Sequence, residues 1–468
     1  MANYDLVVRG GTIVNHNGEG LGDVGVKDGR IVAIGDLKTA AAGKVVDASG
    51  LHVLPGVIDT QVHFREPGNE HKEDLETGTR GAALGGVVAV FEMPNTNPST
   101  STPEALADKP ARAKNRAHVD HAFYVGATSD NFEQLGELER LPGCCGIKTF
   151  MGASTGTLLV PDDEGLDRVV ANINRRGAFH CEDEARLRER KSLAREGDWT
   201  SHPEVRDDQA GLLAVQRLVK AARKYGKRVH VLHISSKIEM EYLMTAKDVA
   251  TVETLPQFLT FEGPEVYERL HGFAQMNPPI RYAADRAAVW DLGITQGVVD
   301  VLGTDHAPHT REEKAKPYPA SPSGMPGVQT LVPVMLTHVA EGRLSLQRFV
   351  DLTSEGPLRV FQIANKGRIA LGYDADLTLV DLKARRTIRH ADQVNRSGWT
   401  PFDGFEAKGW PMATIIRGQV VMQDGEVVAS SLRRVLSASH RCLCRCRERR
   451  WRRNPRPPPA PGRCDNTR

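Results

Sequence analysis

The sequence predicts an α/β fold, a (β/α)8 barrel of the TIM type with a small β-sandwich formed from both chain ends. From about Val53, short apolar runs that end in polar residues alternate with longer helical segments over roughly 300 residues, as in a parallel barrel. Short strand-like runs occupy the first fifty residues and return after Lys366. The length of 468 residues suits a barrel with a small second domain.

The N-terminal segment is predicted to consist of short antiparallel strands. Tyr4–Arg9 alternates apolar and polar residues, and we expect Gly10-Gly11 to form a turn before the next strand. The Asp28-Gly29 pair lies between two β-branched runs and predicts a hairpin. Residues 1–54 are therefore assigned to the β-sandwich.

The C-terminal strands supply the rest of the predicted sandwich. Ala375–Val380 and Thr414–Val421 are rich in apolar and β-branched residues, which favours strands within residues 365–430. Because chain termini often lie close together, we expect both ends to form one β-sandwich. Two unrelated β-caps are the alternative.

The barrel itself is assigned to residues 55–364. Its predicted strands are the apolar runs Val53–Ile58, Val87–Glu92, Ala122–Val125, Gly146–Phe150, Ala178–His180, Arg228–His233 and Val298–Leu302. Its clearest predicted helices are Glu73–Leu84, Asp208–Tyr225 and Ala283–Leu292. In a barrel of this type the active site lies at the carboxyl ends of the strands.

The composition is that of a globular protein, with 40% hydrophobic and 26% charged residues. No run approaches about 18 consecutive apolar residues, so we expect no membrane span. The N-terminus lacks a basic segment followed by an apolar one, so we expect no secretory signal and predict a cytoplasmic protein. Seven cysteines without regular spacing argue against a disulfide framework.

Residues 431–468 differ from the rest of the chain in composition. They hold twelve Arg and two acidic residues, a local charge of +10 within a total of +2, so residues 1–430 carry about −8 and have no electrostatic reason to bind nucleic acid. A basic arm and a metal knuckle at Cys442, Cys444 and Cys446 are two interpretations. We favour a disordered extension, because the segment has no apolar periodicity.

Five segments place polar side chains at the ends of predicted strands. The segments are Gly56–Pro67, Gly146–Met151, Ala178–Asp183, Val229–Ser235 and Val301–His309, and their candidate side chains are His63, Lys148, His180, His233 and Asp305. Singly, each has a structural explanation, such as a snorkelling lysine or a helix-capping aspartate. Together they favour a metal site, because a divalent metal lowers the pKa of bound water from about 15.7 to about 7 and so produces a nucleophile for amide hydrolysis.

The run Arg228–His233 contains two histidines, and either could be the metal ligand. Strand alternation puts His230 and His233 on opposite faces. We choose His233 as the metal ligand because it lies at the end of the run, and we interpret His230 as structural.

Four longer motifs carry a resemblance to a known family. They are Val62-His63-Phe64-Arg65-Glu66-Pro67-Gly68, Glu92-Met93-Pro94-Asn95-Thr96-Asn97-Pro98, Gln275-Met276-Asn277-Pro278-Pro279, and Gly303-Thr304-Asp305-His306-Ala307-Pro308-His309 followed by Lys314. Through these motifs, and over most of residues 5–425, the chain resembles the amidohydrolase superfamily and, in particular, the dihydroorotases of its cyclic amidase branch. The fold of that family is a (β/α)8 barrel with a β-sandwich made from both termini.

The resemblance implies a complete site. It makes His63, Lys148, His180, His233 and Asp305 ligands of one or two Zn²⁺ ions, with Lys148 carboxylated by CO2 so that it can bridge them. It makes Asp305 the general base and then the general acid. It assigns the substrate carboxylate to Arg65, Asn95 and His309, and the pyrimidine amide edge to Asn277. The loop Pro317–Gly327 is expected to close over the ring.

One residue departs from the pattern of the family. The superfamily usually has a His-x-His pair after the first strand, whereas this chain has Gln61 before His63. A neutral amide is a much poorer zinc ligand than imidazole. Three interpretations follow: a second metal held weakly by His63, Lys148 and Asp305; a single metal at Lys148, His180 and His233; or a degenerate site without activity.

The resemblance implies the reversible hydrolysis of dihydroorotate to N-carbamoyl-aspartate in pyrimidine biosynthesis. One rival is a hydantoinase or allantoinase, which needs no arginine for a free carboxylate. The other is a non-catalytic subunit that scaffolds aspartate transcarbamoylase, for which Gln61 is the main support. The family implies a homodimer or an assembly with that transcarbamoylase.

Overall fold

The computed structural model describes residues 3–153 and 158–428. The predicted extension at 431–468 lies outside these residues. The first five strands are β1 (Tyr4–Asn15), β2 (Gly18–Lys27), β3 (Arg30–Gly35), β4 (Ala42–Asp47) and β5 (His52–Pro55). The next eight are β6 (Val57–Val62), β7 (Val87–Glu92), β8 (Asp120–Gly126), β9 (Cys144–Phe150), β10 (Gly177–His180), β11 (Val229–Val231), β12 (Ala250–Thr254) and β13 (Val301–Leu302). The last four are β14 (Leu377–Thr387), β15 (Glu406–Ile416), β16 (Gln419–Gln423) and β17 (Glu426–Val427).

Strands β6 to β13 form an eight-stranded parallel sheet in chain order. The sheet curls until its first and last strands meet, since Val62 pairs with His306 and the amide of His63 donates to the carbonyl of His306 at 2.7 Å. Almost every position of these strands is buried, as expected when a parallel sheet is covered by helices on one face and closed around a packed interior on the other. The predicted barrel is confirmed.

Helices connect the barrel strands. They are α1 (Leu75–Leu84), α2 (Pro103–Ala113), α3 (Leu135–Leu138), α4 (Asp163–Asn172), α5 (Glu184–Arg190), α6 (His202–Val205), α7 (Asp208–Tyr225), α8 (Lys237–Met244), α9 (Pro256–Thr260), α10 (Glu265–Leu270), α11 (Ala283–Ala288), α12 (Arg311–Lys314), α13 (Leu331–Ala340), α14 (Leu346–Val350) and α15 (Gly356–Phe361). Shorter 3-10 segments are Phe132–Gln134, Lys191–Leu193, Trp199–Ser201, His271–Ala274 and His390–Asp392, and π-helical segments are Val289–Thr295 and Asp351–Glu355. Within the described residues, no helix is long and apolar enough to cross a membrane.

The longest helix shows how the local sequence sets its ends. Asp207 precedes α7, and its carboxylate accepts a hydrogen bond from the amide of Ala210, which satisfies one of the free donors of the first turn. Gly226 ends the helix in the left-handed conformation, with φ of 62°, which a glycine adopts without steric cost. The predicted bounds Asp208–Tyr225 are confirmed.

The remaining nine strands form one sheet from both chain ends, with the order β17-β16-β15-β14-β5-β1-β2-β3 and β4 beside β1. The N-terminal and C-terminal strands also approach each other across the sheet, because a Cβ added at Gly418, between β15 and β16, would lie 2.7 Å from Val26 in β2. Apolar residues of both ends, among them Leu6, Val24, Leu379 and Ile415, pack in a core separate from that of the barrel. The predicted sandwich of both termini is therefore confirmed, whereas its boundaries at residues 54 and 365 stay predictions.

Two predicted details of the strands are wrong. Gly10-Gly11 does not form a turn, because β1 continues through it with a register shift between Val8 and Gly11. Gly10 takes a positive φ of 77° there, and its amide donates to the carboxylate of Asp23. The expected strand Val53–Ile58 is in fact two strands, β5 of the sandwich and β6 of the barrel, which meet at Gly56. In contrast, the Asp28-Gly29 hairpin is confirmed, with both residues at positive φ.

Candidate active site

The candidate site lies at the carboxyl ends of the barrel strands. Nine of the ten residues predicted from the sequence line one cavity there: Gln61, His63, Arg65, Asn95, Lys148, His180, His233, Asn277 and Asp305. The tenth, His309, contacts Arg65, with its Nε2 3.2 Å from Nη2 of the guanidinium. Arg65 and His309, which are 244 positions apart in the chain, are thus brought into contact by the closure of the barrel.

His180 and His233 form one half of the site. His180 is the last residue of β10, and its Nδ1 lies 3.0 Å from Nε2 of His233, which follows β11. Both side chains are buried, and burial lowers their pKa values, so both rings are neutral near pH 7 and can donate a lone pair. His233 adopts a positive φ of 38°, a kind of backbone strain that costs on the order of 1–3 kcal/mol and clusters at functional sites.

Glu182 orients His180. Its Oε2 lies 2.7 Å from Nε2 of His180, and Arg206 contacts the same carboxylate, with Nε 3.0 Å from Oε1. Although burial alone would raise the pKa of Glu182, Arg206 and His180 lower it well below its usual value, so this carboxylate is ionised. A carboxylate on one ring nitrogen fixes the tautomer and leaves the other nitrogen to act as a ligand.

His63, Asp305 and Gln61 form the other half. Nε2 of His63 lies 2.9 Å from Oδ1 of Asp305, and Nε2 of Gln61 donates to that same oxygen at 3.0 Å. Nδ1 of His63 lies 2.6 Å from the Asn95 side-chain oxygen. Oε1 of Gln61 is buried without a hydrogen-bond partner among the described residues. Asp305, like His233, has a positive φ, here 47°.

Lys148 lies within β9 in the same cavity and is fully buried. Its Nζ has no hydrogen-bond partner in the described part of the chain, and it lies 4.5 Å from the centroid of the Phe150 ring. Desolvation by burial lowers the pKa of Lys148 to about 8, with the neighbouring carboxylates Asp305 and Glu253 acting in the opposite direction. A substantial fraction of the amine is therefore neutral near pH 8, and only a neutral amine can react with CO2.

Arg65 brings a guanidinium to the cavity. Its Nε donates to the carbonyl of Pro308 at 3.1 Å, so the side chain is held by the loop that follows β13. His309 is held in turn by Lys72, whose Nζ lies 3.3 Å from its Nδ1. Burial lowers the pKa of Arg65 to about 10, which leaves it charged at neutral pH. Asn277 lines the same cavity, and its Oδ1 is buried without a hydrogen-bond partner in the described structure.

These side chains fit a divalent metal only when Lys148 is included. Among the described residues, no three His, Cys, Asp or Glu side chains converge closely enough to hold a metal. The donors are instead divided into two pairs, His180 with His233 and His63 with Asp305. An oxygen-bearing derivative of the unpaired Lys148 amine would add a donor to either pair.

Sequence reasoning missed Glu182 as a partner of His180. A usable signal was present, because residues two apart in an extended segment lie on the same face. His230 was interpreted as a structural residue, and it does not line the active-site cavity. Its Nδ1 lies 2.9 Å from Oγ1 of Thr251.

Comparisons with known proteins identify the family of the chain. A family model described as Dihydro-orotase-like matches residues 50–150, and a model described as Amidohydrolase family matches residues 276–421. The chain is 34% identical to a dihydroorotase of Methanosarcina mazei over 442 residues, which covers 91% of this chain and 96% of that protein. It is 36% identical to a dihydroorotase of Halobacterium salinarum over 419 residues, with 87% and 94% covered.

The chain belongs to the dihydroorotase family. A relative from Bacillus licheniformis, also named dihydroorotase, is 32% identical, with 90% of this chain and 99% of the relative covered. Among solved structures, the L-hydantoinase (dihydropyrimidinase) of Arthrobacter aurescens superposes with a TM-score of 0.87 at 29% identity, with 91% and 98% of the two chains covered. The dihydropyrimidinase of Brevibacillus agri gives 0.82 at 26% identity, with 90% and 96% covered. The family is thus one of cyclic amidohydrolases that share the barrel.

Proposed function

We propose that this protein is an active dihydroorotase, which interconverts dihydroorotate and N-carbamoyl-aspartate in pyrimidine biosynthesis. The observation that carries the proposal is the position of Arg65 in the same cavity as Asp305. Both forms of the substrate carry a free carboxylate, and a guanidinium matches that group in charge and shape. The family relatives named above support the same assignment.

Arg65 and Asn95 would hold the substrate carboxylate. Among the described residues, the two contacts of Arg65 use its Nε and Nη2 and leave Nη1 available to a ligand. His309 contacts Nη2 of Arg65 and would help to hold the guanidinium in position. Asn277 has a buried Oδ1 that could accept a hydrogen bond from an N–H group of the ring. These contacts would orient the ring so that its amide carbonyl faces Asp305.

Asp305 would move the proton. Hydrolysis forms a bond from a water oxygen to the amide carbon and breaks the bond from that carbon to the ring nitrogen. The carboxylate of Asp305 would accept the proton that the water loses and deliver it to the departing nitrogen. Burial raises the pKa of Asp305, but the contact with His63 lowers it by more, so the pKa lies below its usual value. The carboxylate is therefore ionised at neutral pH and can accept a proton.

We further propose that Zn²⁺ binds at this site and that Lys148 is carboxylated by CO2. Lys148, His180 and His233 would hold one ion, and Lys148, His63 and Asp305 would hold a second, weaker ion, since Gln61 supplies an amide where an imidazole is usual. A bound zinc ion supplies Lewis acidity, which lowers the pKa of water to about 7. Support comes from the two donor pairs and the unpaired Nζ of Lys148.

A hydantoinase-type activity is the second candidate. The resemblance to the L-hydantoinase of Arthrobacter aurescens, with a TM-score of 0.87, favours it. A cyclic amide without a carboxylate would gain no charged contact from Arg65, however, and would leave Nη1 of this buried guanidinium without an acceptor among the described residues. We therefore rank this activity second. A homodimer, or an assembly with aspartate transcarbamoylase, is proposed from the family resemblance alone.

The test combines metal content with activity. The purified protein is subjected to elemental analysis and assayed with dihydroorotate and with dihydrouracil, the same ring without the carboxylate. We expect zinc in the protein and a strong preference for dihydroorotate. An equal or greater rate with dihydrouracil would favour the second candidate. Absence of turnover after addition of zinc and bicarbonate would refute both and favour a non-catalytic subunit.

A matched variant tests the role of Asp305. Asp305→Asn keeps the size of the side chain and removes its basicity, so we expect kcat to fall by about 10²- to 10⁴-fold. Gln134→Glu, an exposed change outside the cavity, serves as the control. Full activity of Asp305→Asn would exclude the proposed proton transfer.

A further inference from the structure

A second cavity, of about 270 Å³, lies at the opposite end of the barrel, where the strands begin. We call it the basal cavity and define it by five cationic residues of its wall: Arg175, Arg176, Lys227, Arg228 and Arg359. Two of them directly precede β10, two directly precede β11, and the fifth lies in α15. Because the candidate active site lies at the carboxyl ends of these strands, the basal cavity is separate from it.

The charge of the basal cavity is one-sided. Five of its eleven lining residues are Arg or Lys, and none of these eleven is Asp or Glu. Such a concentration of one sign is unexpected on a body whose net charge is negative, since residues 1–430 carry about −8. The cations also repel one another: burial, and next the charge of Arg228, lower the pKa of Arg176 to about 10, although the carboxylate of Asp300 acts in the opposite direction.

A structural role explains part of this cluster. Helices end at this face of a barrel, and cations commonly bond to the free carbonyls and favour the negative end of the helix dipole. Three of the five donate to main-chain carbonyls: Lys227 to Ile173 at 2.6 Å, Arg176 to Val360 at 3.0 Å, and Arg175 to Cys144 at 3.2 Å. Arg359 is paired with Asp351 at 2.6 Å.

The structural role leaves two guanidinium groups unexplained. Arg228 has neither an ion pair nor a hydrogen bond among the residues that the structure describes, and it is exposed at the wall of the cavity. Nε of Arg176 is buried and, within the same described residues, has no acceptor, because the one contact of this side chain uses Nη1. A buried donor without an acceptor costs free energy, and an anion in the basal cavity would relieve this cost together with the mutual repulsion.

We propose that the basal cavity is a binding site for a phosphate group. Planar guanidinium groups bind phosphate oxygens through paired hydrogen bonds, and several cations together favour a group with about two negative charges over a single carboxylate. The volume of about 270 Å³ lies just below the range of roughly 300–1,000 Å³ that is usual for whole drug-sized ligands. The site therefore suits inorganic phosphate or the phosphorylated end of a small metabolite.

Calorimetric titration of the full-length protein tests this site. The probes are inorganic phosphate and ribose 5-phosphate, each at low ionic strength, because salt screens such contacts. The test variant is Arg228→Gln, which removes an exposed, unpaired cation and should fold normally. The matched control is Arg389→Gln, an exposed arginine that does not line the basal cavity. Arg65→Ala controls for phosphate binding at the candidate active site.

We expect at least one probe to bind the wild type, Arg389→Gln and Arg65→Ala with a stoichiometry of one at the basal cavity. Arg228→Gln should bind it at least tenfold more weakly, and Arg228→Glu should abolish this binding. Tighter binding of ribose 5-phosphate than of phosphate would identify a phosphorylated metabolite as the ligand class, and the reverse would identify the free anion. Absence of binding, or equal affinity in Arg228→Gln, would overturn the proposal. Equal unfolding temperatures of the variants exclude a loss of fold.

Discussion

Nε2 of Gln61 donates a hydrogen bond of 3.0 Å to Oδ1 of Asp305, the same oxygen that lies 2.9 Å from Nε2 of His63. Gln61 thus occupies the position where the family usually has a histidine, and it binds the proposed proton carrier directly. The amide holds Asp305 in place, but its free Oε1 is only a weak zinc donor. One side chain therefore affects both the metal content of the site and the position of its base.

Gln61→His is expected to raise the zinc content. The imidazole would replace a poor donor next to His63 and Asp305, so the weaker of the two proposed positions should fill. We expect zinc per chain to rise toward two after dialysis, as measured by elemental analysis. Gln134→His adds a histidine at an exposed position outside the cavity and should leave the zinc content unchanged. The same zinc content in Gln61→His and the wild type would contradict this prediction.

Glu182→Gln is expected to weaken zinc binding by about 10- to 100-fold, the usual effect of losing a carboxylate that supports a ligating histidine. The variant keeps the shape of the side chain but removes the charge that contacts His180 at 2.7 Å. Competition with a chromophoric chelator measures the affinity. Glu189→Gln, an exposed change on helix α5, which begins two residues after Glu182, is the matched control. An unchanged affinity would show that Glu182 serves only to pair with Arg206.

The residues that line the site were easier to predict from the sequence than the residues that hold them in position. His180 is the last residue of its strand, and His63, His233 and Asp305 come within three residues after the ends of theirs, where the barrel geometry predicts the active site. The contacts that orient them depend on residues distant in the chain, such as Arg206 beside Glu182. No local pattern specifies a contact of that kind.

Strand β12 shows why one barrel strand was missed. All five of its residues are buried, but Thr251, Glu253 and Thr254 are polar, so the segment has no apolar run. One oxygen of Glu253 has a partner, because Oε2 accepts a hydrogen bond from Thr60 of β6 at 2.9 Å, whereas Oε1 is buried without a hydrogen-bond partner among the described residues. Burial raises the pKa of Glu253 to about 8, which favours a protonated, neutral acid near pH 7. Only the closed barrel provides that partner, so this segment is not among the strands predicted from apolar runs.

Arg65→Ala is expected to change the substrate preference. Loss of the guanidinium removes charge-assisted hydrogen bonds worth about 1.5–3 kcal/mol, which lowers kcat/KM for dihydroorotate by about ten- to hundredfold. Dihydrouracil has no carboxylate, so its kcat/KM should change little, and the ratio of the two values is the measurement. Arg389→Ala is the control. An equal loss with both substrates would mean that Arg65 supports the structure of the cavity rather than the carboxylate.

Lys366→Met is expected to destabilise the protein without affecting the site. Nζ of Lys366 is buried between Asp120 at 3.0 Å, Asp374 at 3.2 Å and Asp376, and it joins strand β8 of the barrel to the start of β14 in the sandwich. Methionine fills a similar volume but leaves these carboxylates without their cation, which costs about 3–5 kcal/mol for a buried pair. We expect the unfolding temperature to fall by several degrees, because the shift per kcal/mol is about 2–4 °C for domains of about 150–250 residues and smaller for a larger chain.

The measurement is a thermal unfolding scan beside zinc content and activity at 25 °C. Lys383→Met, an exposed lysine of β14, is the matched control and should leave the unfolding temperature unchanged. Because the Lys366 cluster lies outside the active-site cavity, zinc content and kcat should equal those of the wild type. Loss of activity at 25 °C in a folded Lys366→Met variant would show that the ion pairs of Lys366, which connect the barrel to the sandwich, also position the active-site residues. An unchanged unfolding temperature would mean that Arg417, which also contacts Asp120, suffices to neutralise the cluster.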